Sequence, residues 1–532
     1  MDHPDAARAT VGRQAIGDLL RRSARRVPAR TALVFGPRSY TYAELETVVN
    51  RVANALRSRG VGQGDRVAML SHNNDGFVIA YFALARLGAI SVPINFMLHA
   101  NEVAYVLDHA EVAAVIAEPA LIATMDTALS ESSVGRTVGL RVALAEPADD
   151  VPAHWMRLDA LYAHPDAEEP SLVLADDDPV QLMYTSGTES RPKGATMTSR
   201  SLVAQYVSCV VDGRMTADDV EVHALPLYHC AQLHCFLTPD IYLGATSIVL
   251  PGPDPTVLLE TIERERVTKL FCPPTVWISL LRHPDFDRRD LSSLRKGYYG
   301  ASIMPVEVLR ELLRRLPDMA LFNFYGQTEM SPLATILLPE DQVRKAGSAG
   351  RAAINVETRI VDDLDQPVPP GVVGEIVHRS PHAMAGYWRD EEKTAAAFAN
   401  GWFHSGDLGV IDDEGYLSVV DRKKDMIKTG GENVASREVE EVLYAHPAIA
   451  EVAVFGIPHP HWIEAVTAAV VLRADAQLQP EELIAFARER LAGYKVPKTV
   501  TIVEALPKNA SGKVLKRDLR QQLADTPVAG GT

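Results

Sequence analysis

The stretch YTSGTESRPKG, residues 184–194, carries the clearest local signal of the fold. It follows the hydrophobic run VQLMY and precedes SLVAQYVSCVV, so we expect a strand, a polar loop and then a helix. Glycine lets backbone N–H groups turn toward an oxyanion, and a lysine adds positive charge. The stretch therefore predicts a phosphate-binding loop, whose hydroxyl, glycine and lysine residues are Thr185, Ser186, Gly187, Thr188 and Lys193.

A solvated polar turn remains the alternative for this stretch taken alone. Its spacing is not that of a Walker A loop, and proline precedes the lysine. It also contains an acid, Glu189, and two like charges ~4 Å apart repel by roughly 4 kcal/mol at an effective dielectric of 20. We therefore expect Glu189 to point outward, toward Arg191 or Lys193, and to tether the loop without contacting a phosphate.

Length and charge limit the class of protein. With 532 residues the chain exceeds what one hydrophobic core usually serves, so two or more domains are expected. The net charge of −16 disfavours nucleic acid and anionic membrane surfaces as main partners. The N-terminus lacks the apolar segment of a signal peptide, and no apolar run approaches the ~18 residues of a membrane span. We expect a cytoplasmic protein without a transmembrane segment; a homodimer is compatible with the sequence, which does not reveal the oligomeric state.

The four cysteines form no CxxC pair. Cys230 and Cys235 lie close to His229 and His234, which leaves a zinc site as an alternative. Small buried cysteines are the better interpretation. Disulfides are not expected, which fits a reducing compartment.

Helical and strand patterns alternate along the first two thirds of the chain. Helical spacing is found at 14–26, 42–59, 77–88 and 305–316, and short buried strands are expected at 67–70, 89–94 and 113–118. The stretch 267–274 is expected to be a strand that leads into a loop. This alternation predicts an α/β fold with mostly parallel sheets. From about residue 350, short alternating strands with Asp/Gly turns predict a smaller antiparallel β region. Beyond it, helices at 436–445 and 481–491 and strands at 451–456, 466–473 and 501–506 predict a separate α+β domain.

Four further stretches follow the first in order: YGQTEMSP (325–332), GWFHSGDLG (401–409), DRKKDMIKTGGENV (421–434) and PKNASGKVLKRDL (507–519). Each alone is compatible with an ordinary loop. Together, over nearly the whole chain, they resemble the acyl-adenylate-forming enzymes, the superfamily of acyl-CoA synthetases, adenylation domains and luciferases. The resemblance implies a large N-terminal AMP-binding domain of α/β subdomains, residues 1–421, which holds the acyl and ATP sites. A small mobile C-terminal α+β domain, residues 422–532, would follow it.

The resemblance also implies a two-step reaction that uses ATP, Mg²⁺, a small carboxylic acid and coenzyme A. The carboxylate attacks the α-phosphate of ATP, which gives an acyl-adenylate and pyrophosphate, and a thiol then displaces AMP. Chemistry at a phosphoryl centre needs charge neutralisation and positioning above all. Thr328 would contact the α-phosphate, and Glu329 would bind Mg²⁺ as a hard oxygen ligand. Lys513 would bridge the carboxylate and the α-phosphate.

The other nucleotide contacts are carried over from the same resemblance. The β- and γ-phosphates would be held by the loop described first. Asp407 would accept hydrogen bonds from the ribose hydroxyls, with support from Arg422. The adenine loop and the residues against the base would be Gly300, Ala301, Ser302, Tyr325 and Gly326.

The second step implies that the small domain rotates about a hinge at Lys424. Rotation would withdraw Lys513 and bring a glycine-rich strand to the site, where it leaves room for a pantetheine arm. Such gating keeps a reactive adenylate away from water. The residues on this face would be Lys428, Thr429, Gly430, Gly431 and Glu432.

The acyl pocket is the part that the sequence defines least. The segment LPLYHCAQLHCF, residues 225–236, matches the position where a histidine or an aromatic residue gates the acyl group. His229 is therefore the candidate gate, and a structural histidine is the alternative. The expected lining residues are Leu233, Cys235, Val276, Trp277, Tyr299 and Ser331. No lysine or arginine is evident for a second carboxylate, and the residue types do not separate a medium- or long-chain fatty acid from an aryl acid.

Three functions remain compatible with the sequence. A stand-alone acyl-CoA synthetase is favoured, because no carrier domain follows residue 532. The alternative is an adenylating enzyme that uses a carrier-protein thiol or an amine as acceptor, or an oxyanion such as nitrite as substrate. A non-enzymatic binding protein is the third, and it is disfavoured because a mere binder would not need Glu329, Asp407, Arg422 and Lys513 together.

Overall fold

A computed structural model describes residues 11–146, 148–185, 192–302, 304–423, 425–429, 432–459, 462–474, 476–508 and 514–523. Several residues named above lie outside these ranges, and their roles stay predictions: Ser186, Gly187, Thr188, Glu189, Ser190, Arg191, Lys424, Gly430, Gly431 and Lys513. Within the described ranges, no helix is both long enough and apolar enough to cross a membrane.

The first large sheet has eight strands, and its centre is parallel. Three helices join its central strands: Asp75–Leu87, Ala100–Ala110 and Ile122–Glu131. In spatial order the strands are Gly386–Tyr387, Lys193–Thr198, Pro179–Thr185, Ile90–Ile94, Arg66–Leu70, Ala114–Ala117, Leu140–Ala143 and Met156–Arg157. The first two of these run antiparallel to their neighbours, so the predicted phosphate loop connects two antiparallel strands at one side of the sheet.

The second large sheet has nine strands and is parallel from Ala320–Gly326 to Thr31–Phe35. In spatial order the strands are Arg351–Ala352, Leu333–Leu337, Ala320–Gly326, Lys296–Gly300, Lys269–Phe271, Val220–His223, Thr246–Val249, Thr31–Phe35 and Arg38–Thr41. The helices on and between the large sheets include Ile16–Arg26, Tyr42–Arg57, Ser199–Asp212, Thr238–Leu243, Pro255–Glu265, Pro274–Arg282 and Val306–Arg315. Carboxyl ends of neighbouring parallel strands meet at one edge of such a sheet, which is where ligands bind in open α/β folds.

Two smaller sheets complete the fold. The strands Glu357–Val361, Gly374–Arg379, Phe403–Ile411 and Leu417–Arg422 form an antiparallel sheet, in the region where one was predicted. The last sheet contains Ile427–Thr429, Glu432–Val434, Ile449–His459, Ile463–Leu472 and Thr499–Ile502, with helices Ser436–Tyr444, Pro480–Arg488 and Lys516–Leu523. This arrangement matches the predicted fold class. The boundary between residues 421 and 422 falls at the end of a strand, and it stays a prediction.

Most predicted elements lie within a few residues of their expected bounds, for clear local reasons. The helix expected at 42–59 spans Tyr42–Arg57, and the Thr41 side chain accepts a hydrogen bond from the Glu44 backbone N–H at its start. The hairpin Ile427–Thr429/Glu432–Val434 and the helix Lys516–Leu523 were not predicted. All four cysteines are buried and unpaired, in agreement with the preferred interpretation of the sequence.

Candidate active site

A cavity of about 790 Å³ lies where the carboxyl ends of the parallel strands meet the small antiparallel sheet. Strand ends, helix starts and the phosphate-loop flanks all contribute to its wall. It brings together many residues that are far apart in sequence and that were predicted to share a site: Thr185, Lys193, His229, Cys235, Gly300, Ala301, Tyr325, Gly326, Thr328, Glu329, Asp407 and Arg422. A volume of this order suits a small-molecule site.

One end of the cavity is formed by a buried carboxylate held between an aromatic hydroxyl and a guanidinium. Tyr325 donates a hydrogen bond of 2.7 Å from its hydroxyl to Asp407 Oδ2. Arg422 Nε lies 3.4 Å from Asp407 Oδ1, and the two residues face each other across paired strands. Burial and the nearby Asp407 charge raise the pKa of Tyr325, so its hydroxyl stays a donor. An ionised carboxylate offers about four acceptor positions, so Asp407 can also accept from a ligand's hydroxyl groups.

The opposite end is positively charged and lies where the predicted phosphate loop begins and ends. Thr185 and Lys193 are directly paired across their two strands. Beyond them, Tyr105 donates a hydrogen bond from its hydroxyl to the Pro192 carbonyl at 3.2 Å. The Lys193 ammonium lies 4.8 Å from the centroid of the Tyr387 ring. The Lys193 ammonium can therefore contribute to holding an anion in this part of the cavity.

Glu329 lines the same cavity as this lysine and lies in the short 3₁₀ turn Thr328–Met330. Its Oε1 accepts a hydrogen bond of 2.8 Å from the Tyr387 hydroxyl. Gly326, just before the turn, has no room for a side chain, because an added Cβ would lie 1.9 Å from the Pro332 carbonyl oxygen. A carboxylate beside a lysine that is predicted to bind phosphate would fit Mg²⁺, which proteins usually bind through one or two carboxylates together with substrate phosphates.

The turn after strand Lys296–Gly300 forms another part of the wall. An added Cβ at Gly300 would lie 2.4 Å from the Phe324 carbonyl oxygen, so only glycine fits there. Ala301 follows in the left-handed region, with φ of 63°, and is exposed, as is Ser302. Gly300 and Ala301 line the cavity, whereas Ser302 is not among the lining residues.

The third part of the cavity is apolar and ends in a wall of stacked aromatic rings. Phe236 stacks on Phe271 with ring centroids 4.4 Å apart, and on Phe324 at 5.7 Å. All three rings line the cavity together with Cys235. His229 also lines it, and its Nδ1 accepts a hydrogen bond of 3.2 Å from the Ala231 backbone N–H.

Five residues expected in the acyl pocket are not in its described wall. Trp277 is fully buried, and its Nε1 donates a hydrogen bond of 3.0 Å to the Tyr298 carbonyl. The Tyr299 hydroxyl donates a hydrogen bond of 2.9 Å to Gln342 Oε1. Alternate residues of a strand face opposite sides of the sheet, and Tyr299 faces the side away from Phe236. Leu233 and Ser331 are likewise buried in the protein core, and the half-buried Val276 packs against it.

Other residues line the cavity that the sequence did not point to. Phe236, Phe271 and Phe324 belong to a helical turn and two strands, and only the packing of those elements brings their rings together. Tyr387 was missed because its short strand, Gly386–Tyr387, has no hydrophobic alternation to mark it. Lys428, predicted on the coenzyme A side, is exposed and does not line the cavity in this arrangement.

Comparison with known proteins agrees with this architecture. Residues 20–388 match the family model described as AMP-binding enzyme, and residues 438–513 match the model of the AMP-binding enzyme C-terminal domain. A feruloyl-CoA synthase from Amycolatopsis is 39% identical over 509 residues, which are 96% of this chain and 99% of that protein. The long-chain-fatty-acid–CoA ligase FadD13 of Mycobacterium tuberculosis is 34% identical over 491 residues, 91% of this chain and 93% of FadD13.

The fold is also found among solved structures. The crystal structure of the anthranilate CoA ligase AuaEII in complex with anthranoyl-AMP superposes with a TM-score of 0.88 at 26% identity. The match covers 97% of this chain and 98% of AuaEII. The likeness therefore extends over both the large N-terminal part and the small C-terminal part of the chain.

Proposed function

The chain belongs to the AMP-binding enzyme family, and we propose that it is an ATP-dependent acyl-CoA synthetase whose acid is compact and aromatic. It is an acid–thiol ligase. The observation that carries the proposal is the single cavity that has an anion-binding end, a ribose-type acceptor and an apolar aromatic wall. These three parts correspond to the triphosphate, the nucleoside and the acyl group of the two substrates of the first step.

In the first step a carboxylate oxygen of the acid attacks the α-phosphorus of ATP, and pyrophosphate leaves. Asp407 would hold the ribose hydroxyls, and Tyr325 would fix the orientation of that carboxylate. Lys193 and the flanking loop would hold the leaving pyrophosphate, and the Thr328 hydroxyl would contact the α-phosphate. Bound Mg²⁺, held by Glu329, would neutralise phosphate charge. The protein contributes positioning and electrostatic stabilisation, which is what phosphoryl-centre chemistry requires.

In the second step the thiol of coenzyme A attacks the acyl carbonyl carbon, and AMP leaves with the bridging oxygen. We expect Lys513 to serve only the first step and the segment from Lys428 to Glu432 to serve the second. The two sets of residues lie on one small domain, so they would take turns at the cavity through rotation about Lys424. A site that closes in this way protects the adenylate from hydrolysis.

The aromatic wall supports an aromatic acid over a long aliphatic chain. Phe236 stacks against both Phe271 and Phe324, and Tyr298 lies edge-on to it with centroids 5.2 Å apart, so packed rings form the apolar part of the wall. Aromatic rings pair favourably in offset-stacked and edge-to-face arrangements, worth about 0.5–1.5 kcal/mol beyond area burial. A planar acyl group can make these contacts, whereas a long chain would need an opening through the packed rings.

The charges on the wall support an acid with a single carboxylate. Among the described lining residues the lysines and arginines are Lys193, Lys393, Arg422 and Lys423. Lys393 lies on the helix that follows Tyr387, beside the phosphate end. Arg422 and Lys423 lie beside Asp407. No cation of this set flanks the Phe236 ring cluster, where a second carboxylate of the acid would need a partner.

The test is CoA-thioester formation with ATP and Mg²⁺ across a panel of monocarboxylic acids, with one dicarboxylic acid for comparison. The panel contains benzoate, cinnamate and indole-acetate derivatives, fatty acids of six to sixteen carbons, and succinate. We expect kcat/KM for the best aromatic acid to exceed that of every fatty acid by at least tenfold. A preference for long-chain acids would contradict the aromatic proposal, and the absence of any thioester would contradict the synthetase proposal itself.

To test whether the aromatic wall sets the preference among acids, Phe236→Leu is compared with Leu364→Ala. Leu364 is exposed on the antiparallel sheet region and lies outside the cavity lining. Phe236→Leu removes the ring that stacks on both neighbours, so we expect it to lower kcat/KM for the aromatic acid and to raise it for longer aliphatic acids. Leu364→Ala should leave the order of preference among acids unchanged.

A further inference from the structure

Tyr387 contacts two opposite charges of the cavity at the same time. Its hydroxyl donates a hydrogen bond of 2.8 Å to Glu329 Oε1. Its ring holds the Lys193 ammonium 4.8 Å from the centroid. Lys193 and Glu329 are thus joined through one side chain, and no ion pair within 4.0 Å is found directly between them among the described contacts.

The backbone around Tyr387 ties the same two regions together. Trp388 N donates to the Gly194 carbonyl at 2.7 Å, which fixes the strand beside the residue that follows Lys193. Met384 N donates to the Glu329 carbonyl at 2.8 Å. The Tyr387 backbone N–H itself donates to Thr394 Oγ1 at 2.9 Å. The short strand therefore bridges the end of the phosphate loop and the turn that carries Glu329.

We propose that Tyr387 is a positioning residue that keeps Lys193 and Glu329 apart and oriented, so that a divalent cation and the nucleotide phosphates can enter between them. This inference rests on the proposed function. An aromatic ring attracts a cation without neutralising it. A neutral hydroxyl that donates to one carboxylate oxygen fixes the orientation of that carboxylate and leaves its charge in place.

Without the tyrosine, the opposite charges would draw together and form a direct ion pair. Such a pair would occupy the lysine that should bind phosphate and the carboxylate that should bind the metal.

A matched control exists elsewhere in the chain. The Tyr416 hydroxyl donates a hydrogen bond of 2.6 Å to Asp341 Oδ2, and the Lys345 ammonium lies 4.7 Å from the Tyr416 ring centroid. As at Tyr387, the hydroxyl donates to a carboxylate and the ring contacts an ammonium; here the guanidinium groups of Arg344 and Arg351 contact the ring as well. None of the residues around Tyr416 lines the cavity, nor does Tyr416 itself.

The test measures binding directly. Mn²⁺ binding to the enzyme–ATP complex is followed by electron paramagnetic resonance, and metal-free ATP binding by calorimetry, for the full chain and its variants. Tyr387→Phe keeps the ring and loses the hydroxyl, so we expect Mn²⁺ affinity to fall at least tenfold while metal-free ATP affinity stays within twofold. Tyr387→Leu loses both contacts, so metal-free ATP affinity should also fall about tenfold. Tyr416→Phe should change neither affinity.

A double variant distinguishes the spacer from a general structural role. If Lys193 is captured by Glu329 in Tyr387→Leu, adding Glu329→Gln should restore metal-free ATP affinity to that of Glu329→Gln alone. Failure of this rescue, or unchanged Mn²⁺ affinity in Tyr387→Phe, would overturn the inference. If Tyr387→Leu does not fold by circular dichroism, Tyr387→Phe decides the question. If the unaltered chain binds no Mn²⁺–ATP, the proposed function is wrong in the first place.

Discussion

The Tyr325 hydroxyl lies 2.7 Å from Asp407 Oδ2 and donates a hydrogen bond to it in the wall of the cavity. The two residues are 82 positions apart in sequence and come from different sheets. Arg422 faces the second oxygen of the same carboxylate at 3.4 Å. These contacts hold the Asp407 side chain in place before any ligand enters, which lowers the cost of ordering it on binding.

Asp407→Ala should weaken the binding of ATP more than the binding of the acid. Hydrogen bonds to a charged group contribute about 1.5–3 kcal/mol each, so the loss of the ribose contacts should raise KM for ATP by about a hundredfold. Tyr325→Phe leaves the carboxylate in place and should raise it by about tenfold or less. Steady-state kinetics with each substrate varied in turn measures both effects. A KM for ATP within threefold of the unaltered enzyme in Asp407→Ala would contradict this assignment.

Lys513→Ala should separate the two half-reactions. Because Lys513 is expected to bridge the carboxylate and the α-phosphate, its loss should abolish adenylate formation. Thioester formation from a supplied acyl-adenylate should be largely retained. Lys424→Pro, which would stiffen the hinge, should have the reverse effect. The measurements are pyrophosphate exchange for the first step and thioester release for the second, and an equal loss of both in Lys513→Ala would show that the rotation model is wrong.

The site residues that the sequence predicted lie in short local motifs, whereas the contacts that it did not predict arise from the packing of separate helices and strands. Tyr325 and Asp407 lie in strands, each beside a glycine, and Glu329 lies in the short turn that follows the strand of Tyr325. Their positions therefore depend on short local segments that the sequence motifs mark. Tyr387 and the Phe236 ring cluster depend on how separate elements pack on one another, which one sequence does not state. Tyr298 and Tyr299 illustrate what the sequence did not predict. They are adjacent aromatic residues of one strand, but Tyr298 contacts Phe236 and Tyr299 packs in the core on the other side of the sheet.

We expect a buried ion pair between two strands of the second large sheet to stabilise the folded protein. Lys269 is fully buried, its Nζ lies 2.8 Å from Glu221 Oε2, and it also contacts Asp240. Lys269→Met leaves two buried carboxylates without their cation, so we expect the free energy of unfolding to fall by about 3–5 kcal/mol.

The matched control is Lys495→Met, which breaks the surface pair of Lys495 with Glu438 at 2.7 Å. Exposed pairs contribute about 0–1 kcal/mol, so this variant should unfold at nearly the same urea concentration as the unaltered protein. Equal destabilisation by the two variants would contradict the importance given to the buried pair.

The cysteines should be unreactive in the folded protein. All four are buried, and burial raises the pKa of Cys230 to about 12. At pH 8 only about one Cys230 thiol in ten thousand would be ionised, and the thiolate is the reactive form. We expect a disulfide reagent to label none of the four within minutes in native buffer and all four in urea, with native labelling rising as pH increases. Rapid labelling of Cys230 at pH 8 would show that this part of the cavity wall is open.

The central claim is that the acid is activated as an acyl-adenylate before it reaches coenzyme A. The most direct test supplies an acid whose carboxylate oxygens are ¹⁸O and determines by mass spectrometry where the label goes after one turnover. Attack of the carboxylate on the α-phosphorus leaves one carboxylate oxygen on AMP when the thiol displaces it. The account predicts one ¹⁸O atom in each AMP and none in pyrophosphate. Label in inorganic phosphate with ADP as the nucleotide product, or unlabelled AMP beside labelled thioester, would contradict it.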